Sequence, residues 1–385
     1  MALASPSATA SRTSVISSSS SSSHSRPFGA LSSPRSQKLR SFQSSSQFGL
    51  NCTSSPLSQP THHSFIRSSS IASSPVTDVE LPESSTASWE KFAENVSGEW
   101  DGFGADFTSQ GQPIELPESV VPEAYREWEV KVFDWQTQCP TLAKPTEQVL
   151  QYRTIKLLPT VGCEADDATR YSIDERSIGD GSNKVEALAY QSSGCYVAVW
   201  PLESEGVARL IELEYCVVNP QDQESRVRIS QVIGVKDDDA KMSLKGIKVF
   251  CEQWYGPFRN GEQLGGCAIR DSAFASTPST KASDVIGVWE GPVSVATFHV
   301  SENNFLQELL GTGVQRSVRD EKKNLVLLPK QLWCSLQEQQ NGETLSEVGW
   351  VFSHGQSITS SCTFSRDRKL KEVAVSRETL ERTNG

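Results

Sequence analysis

The chain has 385 residues, 36 Lys and Arg against 47 Asp and Glu, and a net charge of −11. So acidic a chain lacks the basic footprint that displaces phosphate counterions or holds anionic lipid, which excludes nucleic acid and electrostatic adhesion to membranes. Its apolar runs all fall short of the roughly 18 residues of a membrane helix, so no transmembrane segment is expected.

The first 77 residues hold 28 Ser and six Lys or Arg but no acid; the first is Asp78. Such a segment cannot bury enough apolar surface to offset the entropy of ordering it, and disorder is expected over 1–77. Ser-rich, Arg-bearing and acid-free, it reads as a chloroplast transit peptide, which places the rest of the chain in the plastid stroma. Without those six positive charges the remaining 308 residues carry a net −17.

A helix is expected next: Ser88 is a capping residue, Trp89, Phe92, Ala93 and Val96 follow at helical spacing, and Gly98 ends the run. From there the text alternates as strands do. "REWEVKVFDW" from Arg126 is the first, followed by "TEQVLQYRTIKLL", "TRYSIDERSI", "GCYVAVWPL", "VARLIELEYCVV", "SRVRISQVIGVK" and "LKGIKVFCEQWYGPF". A Ser-, Thr- and Ala-rich linker covers 271–284, and seven more strand signals follow, with Asn341-Gly342 as a hairpin turn. The predicted fold is all-β: two antiparallel barrels in tandem, over 84–270 and 285–383.

Metal and nucleotide chemistry find no support in the sequence. Of nine Cys, the eight beyond residue 77 are isolated and make no CxxC, and His299 and His354 have no Cys near them. The Gly pairs of "NGEQLGGCAIR" read as a hairpin and a bulge, not a phosphate cradle.

One phrase occurs twice: V-x-G-x-W-[D/E]-G begins at Val96 and again at Val285, 189 residues later. Each copy heads a predicted barrel, which marks two copies of one structural unit. A Gly-x-Trp at the first strand of an antiparallel barrel resembles the calycin superfamily, lipocalins included. That likeness implies that Gly98, Trp100, Gly287 and Trp289 form barrel floors, with an Arg stacked on each Trp. Arg377 is expected over Trp289; Arg226, Arg228 and Arg270 are candidates for Trp100. The wording "WEKFAENVSGEWDGFGADFTSQG" with "FDWQTQCPT" further resembles the plant plastid and cyanobacterial DUF3598 family, which is lipocalin-like and brings no established reaction.

If the first barrel is hollow, Trp128, Phe133, Asp134, Trp135, Trp200 and Trp254 would line it, with Arg153 and Arg170 as donors to a ligand carboxylate. The alternative is that the aromatics fill a solid core and the arginines pair with surface acids. Asp134, if buried beside Trp128 and Trp135, would have a raised pKa; otherwise it caps the turn toward Pro140. Three functions remain open: a non-enzymatic stromal protein binding a tetrapyrrole, carotenoid or fatty acid and assisting photosynthetic complex assembly; a ligand-free protein docking an assembly partner; and an isomerase or lyase with a pocket carboxylate and Tyr.

Overall fold

The computed structural model describes residues 85–157, 170–181, 185–203, 209–235, 241–262, 273–299, 305–320 and 324–381, and the side chains of all of these but 85, 170 and 171. The expected transit peptide lies outside the described residues, as do Arg270 and the side chain of Arg170.

Helix α1 (Ser85–Val96) leads into ten strands: β1 (Glu99–Thr108), β2 (Asp134–Gln138), β3 (Thr141–Lys144), β4 (Val149–Leu157), β5 (Arg170–Ile178), β6 (Ala187–Tyr190), β7 (Tyr196–Leu202), β8 (Arg209–Val218), β9 (Ser225–Val235) and β10 (Met242–Gly256). A short helix, α2 (Glu123–Glu127), precedes β2, and another, α3 (Ala282–Val285), precedes β11 (Gly287–Thr297). The remainder is β12 (Leu306–Glu308), β13 (Leu310–Arg319), β14 (Leu325–Leu328), β15 (Leu332–Glu338), β16 (Thr344–Ser353), β17 (Gln356–Phe364) and β18 (Leu370–Leu380).

These strands form two sheets. The first has eleven strands in the order β12-β6-β7-β8-β9-β10-β1-β2-β4-β3, with β5 added on β4; the second has seven, β13-β11-β18-β17-β16-β15-β14. The first sheet curls on itself. Arg176 of β5 reaches Glu212 and Glu214 of β8, although β4, β2, β1, β10 and β9 lie between them in the order of pairing.

Alternation explains how each sheet uses its two faces. On β8, Ile211, Leu213, Tyr215 and Val217 point into an apolar core that continues through Leu332, Cys334, Val348, Ile358 and Cys362 of the second sheet. The Tyr215 hydroxyl lies 2.6 Å from Ser346 Oγ, and the Gln231 amide donates to the Ser335 carbonyl at 3.2 Å, so these polar groups caught in the seam are paired. Strand β12 adds in parallel to β6, tying the later half of the chain to the first sheet. On the opposite, inner face of the first sheet, α1 supplies Trp89 and Phe92 to a cluster with Trp100, Tyr190 and Tyr196.

The repeated phrase builds the same device in both sheets. Trp100 and Trp289 are wholly buried and donate their indole N–H to the carbonyls of Val96 and Val285, at 3.0 and 2.9 Å. Gly98 and Gly287 have φ near +150°, a conformation that L side chains rarely adopt. At Gly102 and Gly291 a Cβ would sit within 2 Å of the carbonyl oxygens of Cys251 and Arg377. The residue after each carbonyl is a buried glutamate, Glu252 or Glu378, paired with an arginine over the ring: Arg226 at 4.2 Å from the Trp100 centroid, Arg319 at 5.3 Å from that of Trp289.

Three expectations need correction. Arg377 is exposed on β18 and does not reach Trp289; Arg319 of β13 takes the place over the ring, because alternation turns Glu378, not Arg377, to that face. "REWEVKVFDW" is not one strand: Pro122 opens the short helix α2, Glu129 adopts a positive φ of 54°, and extended pairing starts only at Asp134. Ser88 lies inside α1 and is buried, instead of capping it.

Replacing Arg319 with Met strands the Glu378 carboxylate in an apolar setting and is expected to lower unfolding stability by about 3–5 kcal/mol. Arg377→Ala, at an exposed position, should stay within about 0.5 kcal/mol of the parent. Urea denaturation of the two variants measures both, and equal losses would contradict the assignment.

Candidate functional site

The inner space of the first sheet is occupied by charge. Glu214 accepts from the hydroxyls of Tyr152 and Tyr196, from the Trp200 indole and from Arg176 and Arg228, at 2.5 to 3.2 Å. Burial alone would raise its pKa, but Arg176 and Arg228 hold it down at about 2. Arg228 also donates to Glu252 and to Thr154, and Arg226 to Glu252 and Thr141. Buried ions are tolerated only when paired in this way, and the network leaves small spaces: about 200 Å³ beside Glu212, Arg228 and Lys248, and about 530 Å³ at a mouth lined by Tyr152, Arg153, Arg176 and Trp200.

A larger cavity lies elsewhere, at the seam between the two sheets. Its volume is about 1090 Å³, just above the roughly 300–1,000 Å³ usual for ligand sites. One wall is the core-facing side of the first sheet, with Asp101 and Phe103 of β1, Ser225 and Val227 of β9, and Cys251, Gln253 and Tyr255 of β10. The facing wall comes from the segment before β11 and from the second sheet: Phe274, Pro278 to Lys281, Asp284, Lys330, Gln331, Trp350 and Phe352. Apolar surface dominates, with Lys281, Lys330, Asp101 and Asp284 placed around it and the paired Arg226 and Glu252 also on the lining. This is the composition of a site that takes an amphipathic molecule.

Asp101 is the unusual group in this cleft. It is 8% exposed, and its Oδ1 has no hydrogen-bond partner among the described residues. Burial, with Glu99 and then Glu252 nearby, pushes its pKa up to about 6, against the hydrogen bond from Gln138 and the charge of Arg259. Asp101 sits inside the repeated phrase. Its counterpart in the second copy, Glu290, is exposed.

The sequence-predicted lining is scattered by the fold. Arg153 and Trp200 do meet at the 530 Å³ mouth, where Arg153 also donates to Asn260. Trp128, just after α2, is 61% exposed and touches Tyr125 edge-on. Trp135 packs with Leu116, Val120 and Val121 under Lys156, and Phe133 flanks the main core. Trp254 covers Gly98 and donates to the Ser97 carbonyl at 3.3 Å. Asp134 is buried, but it neither lines the cleft nor caps the turn toward Pro140: its Oδ1 accepts from the Ala275 amide at 3.1 Å, anchoring the turn that enters the cleft wall at Phe274. Burial pushes its pKa to about 6, against the pull of the amides of Ala275, Ala273 and Phe274.

Among the described residues no three His, Cys, Asp or Glu side chains are grouped as metal ligands, and no helix is long and apolar enough to cross a membrane.

No family model matches the chain, and no curated protein is similar to it. Among solved structures it is similar to a protein of unknown function from the DUF3598 family of Nostoc punctiforme PCC 73102, 13% identical over 76% of this chain and 99% of that one, with a TM-score of 0.44. Another match is MucB in complex with MucA(peri), 8% identical over 76% of this chain and 92% of that one, with a TM-score of 0.16. The DUF3598 family is the one that the chain's own wording resembles.

The raised pKa of Asp134 has a signed consequence. The folded state holds a proton there between about pH 4 and pH 6 that the unfolded chain releases, so this stabilising contribution is complete below about pH 3.8 and is lost as pH rises through about 6. Asp134→Asn keeps an acceptor for the Ala275 amide and never ionises. Its melting temperature is expected to match the parent at pH 4 and exceed it at pH 8; a constant difference across that range would refute the assignment.

Proposed function

We propose that this chain is a plastid protein that binds an amphipathic small molecule non-covalently in the cleft between its two sheets. The observation that carries the reading is the cleft itself, whose volume suits a ligand and whose walls are mostly apolar with a few charged groups. The interior of the first sheet supports it by contrast, because its carboxylates are already held by its arginines. A tetrapyrrole, an oxygenated carotenoid or a fatty acid each combines an apolar body with polar groups, the character that the lining of the cleft would match. Assistance to photosynthetic complex assembly would follow if the ligand is a pigment. The plastid assignment rests on the acid-free, Ser-rich composition of residues 1–77.

A docking role has its own support. Leu310, Val314 and Val318 are 54% to 68% exposed along β13, an edge of the second sheet. Exposed apolar edges of this kind are where another chain's strand adds.

Cys251 makes the cleft reading testable, since it is half-buried on the cleft wall while Cys139, Cys195, Cys216, Cys334 and Cys362 are buried. A bound amphiphile such as hexadecan-1-ol is expected to protect Cys251 from iodoacetamide, read by peptide mass spectrometry, and Cys251→Trp should abolish binding with folding intact. Unchanged alkylation under saturating probe would remove the proposal. For the compartment, residues 1–77 fused to a fluorescent protein should direct it into chloroplasts, and cytosolic fluorescence would contradict that part.

A further inference from the structure

We propose that Asp101 is the polar anchor of the cleft, and that the ligand it selects presents a hydrogen-bond donor, a hydroxyl or an amine, and not a carboxylate. The inference rests on the cleft reading and narrows it to a chemical class.

A buried carboxylate normally has both oxygens engaged, because leaving an acceptor dry costs the desolvation of that atom. Gln138, opposite Asp101 on β2, supplies one donor. Oδ1 has none among the described residues, yet the residue lies on the wall of the seam cavity. A ligand hydroxyl or ammonium reaching this wall would supply the missing hydrogen bond.

The surroundings decide the sign of the head group. Glu99, 4% exposed, stands two residues away on the same face of β1, and its Oε1 accepts from the neutral amides of Arg259 and Gly261. Glu252 is paired with Arg226 and Arg228. A ligand carboxylate here would join Asp101 and Glu99, two buried acids with the charge of Arg259 alone acting against them besides the Glu252 pairs, and like charges brought together in a dry site repel. A hydroxyl meets no such penalty, and an ammonium gains from it. The apolar body then lies along Phe103, Val227, Phe274, Trp350 and Phe352, toward the lysines of the opposite wall.

The test uses the full chain at pH 8 with three probes of equal chain length: hexadecan-1-ol, hexadecylamine and hexadecanoic acid. Dissociation constants come from calorimetry, and occupancy of the cleft from protection of Cys251. The alcohol and the amine are expected to bind about tenfold or more tightly than the acid. Asp101→Leu should erase that preference, and Asp101→Asn, which keeps the shape and an acceptor, should retain the alcohol's advantage while reducing the amine's. Binding of the acid as tightly as the alcohol, or an unchanged ranking in Asp101→Leu, overturns the inference while leaving the cleft reading in place. Failure of all three probes to protect Cys251 overturns the cleft reading and this inference with it.

Discussion

Arg228 divides its donors between Glu214 and Glu252 inside the curl of the first sheet, and that pairing sets what the inside of the curl can hold. Three arginines, 176, 226 and 228, stand against three glutamates, 212, 214 and 252, all but Arg176 almost wholly buried. Ions in a dry interior must be paired, and once paired they hold one another more strongly than they would in water. The hollow that an antiparallel curl would otherwise offer to an apolar ligand is therefore lined with paired charge. Apolar volume is left at the seam, where the outer face of the first sheet meets the second.

The seam exists because each sheet has an apolar face and a polar or aromatic one, and the apolar faces meet. The repeated phrase stands at the start of both sheets and sets their geometry: a wholly buried indole tied to the carbonyl four residues before it, a glycine on either side, and an arginine held over the ring by a glutamate. The two copies recruit that arginine differently. Arg226 comes from β9, beyond β10, whereas Arg319 comes from β13, which pairs directly with β11. The acid within the phrase also diverges, buried as Asp101 in one copy and exposed as Glu290 in the other.

Most of the strands were legible as alternation, since a half-buried strand writes its two faces into the sequence with a period of two. The helix before Trp100 and the hairpin at Asn341-Gly342 were legible for the same reason, as local rules. What eluded the sequence depends on long-range register. Trp128 and Trp135 are seven residues apart and look like one strand, but the helix after Pro122 and the left-handed Glu129 break the extended path. Which residue of Ser376-Arg377-Glu378 faces Trp289 is fixed by pairing with β11 and β17, which composition does not reveal. Asp101 was visible as part of a repeated phrase, but only burial against Glu99 and the second sheet sets it apart from Glu290. The short β12 and its parallel pairing with β6 carry no periodic signal in three residues.

The measurement that bears most directly on this account is a crystal structure of the protein with hexadecan-1-ol. The account predicts the alkyl chain at the seam, between Phe103 and Val227 on one wall and Phe274 and Trp350 on the other, with its hydroxyl within hydrogen-bond distance of Asp101 and the Arg228 pairs unbroken. An alkyl chain inside the curl, among Tyr152, Arg176 and Trp200 with those ion pairs parted, would contradict it.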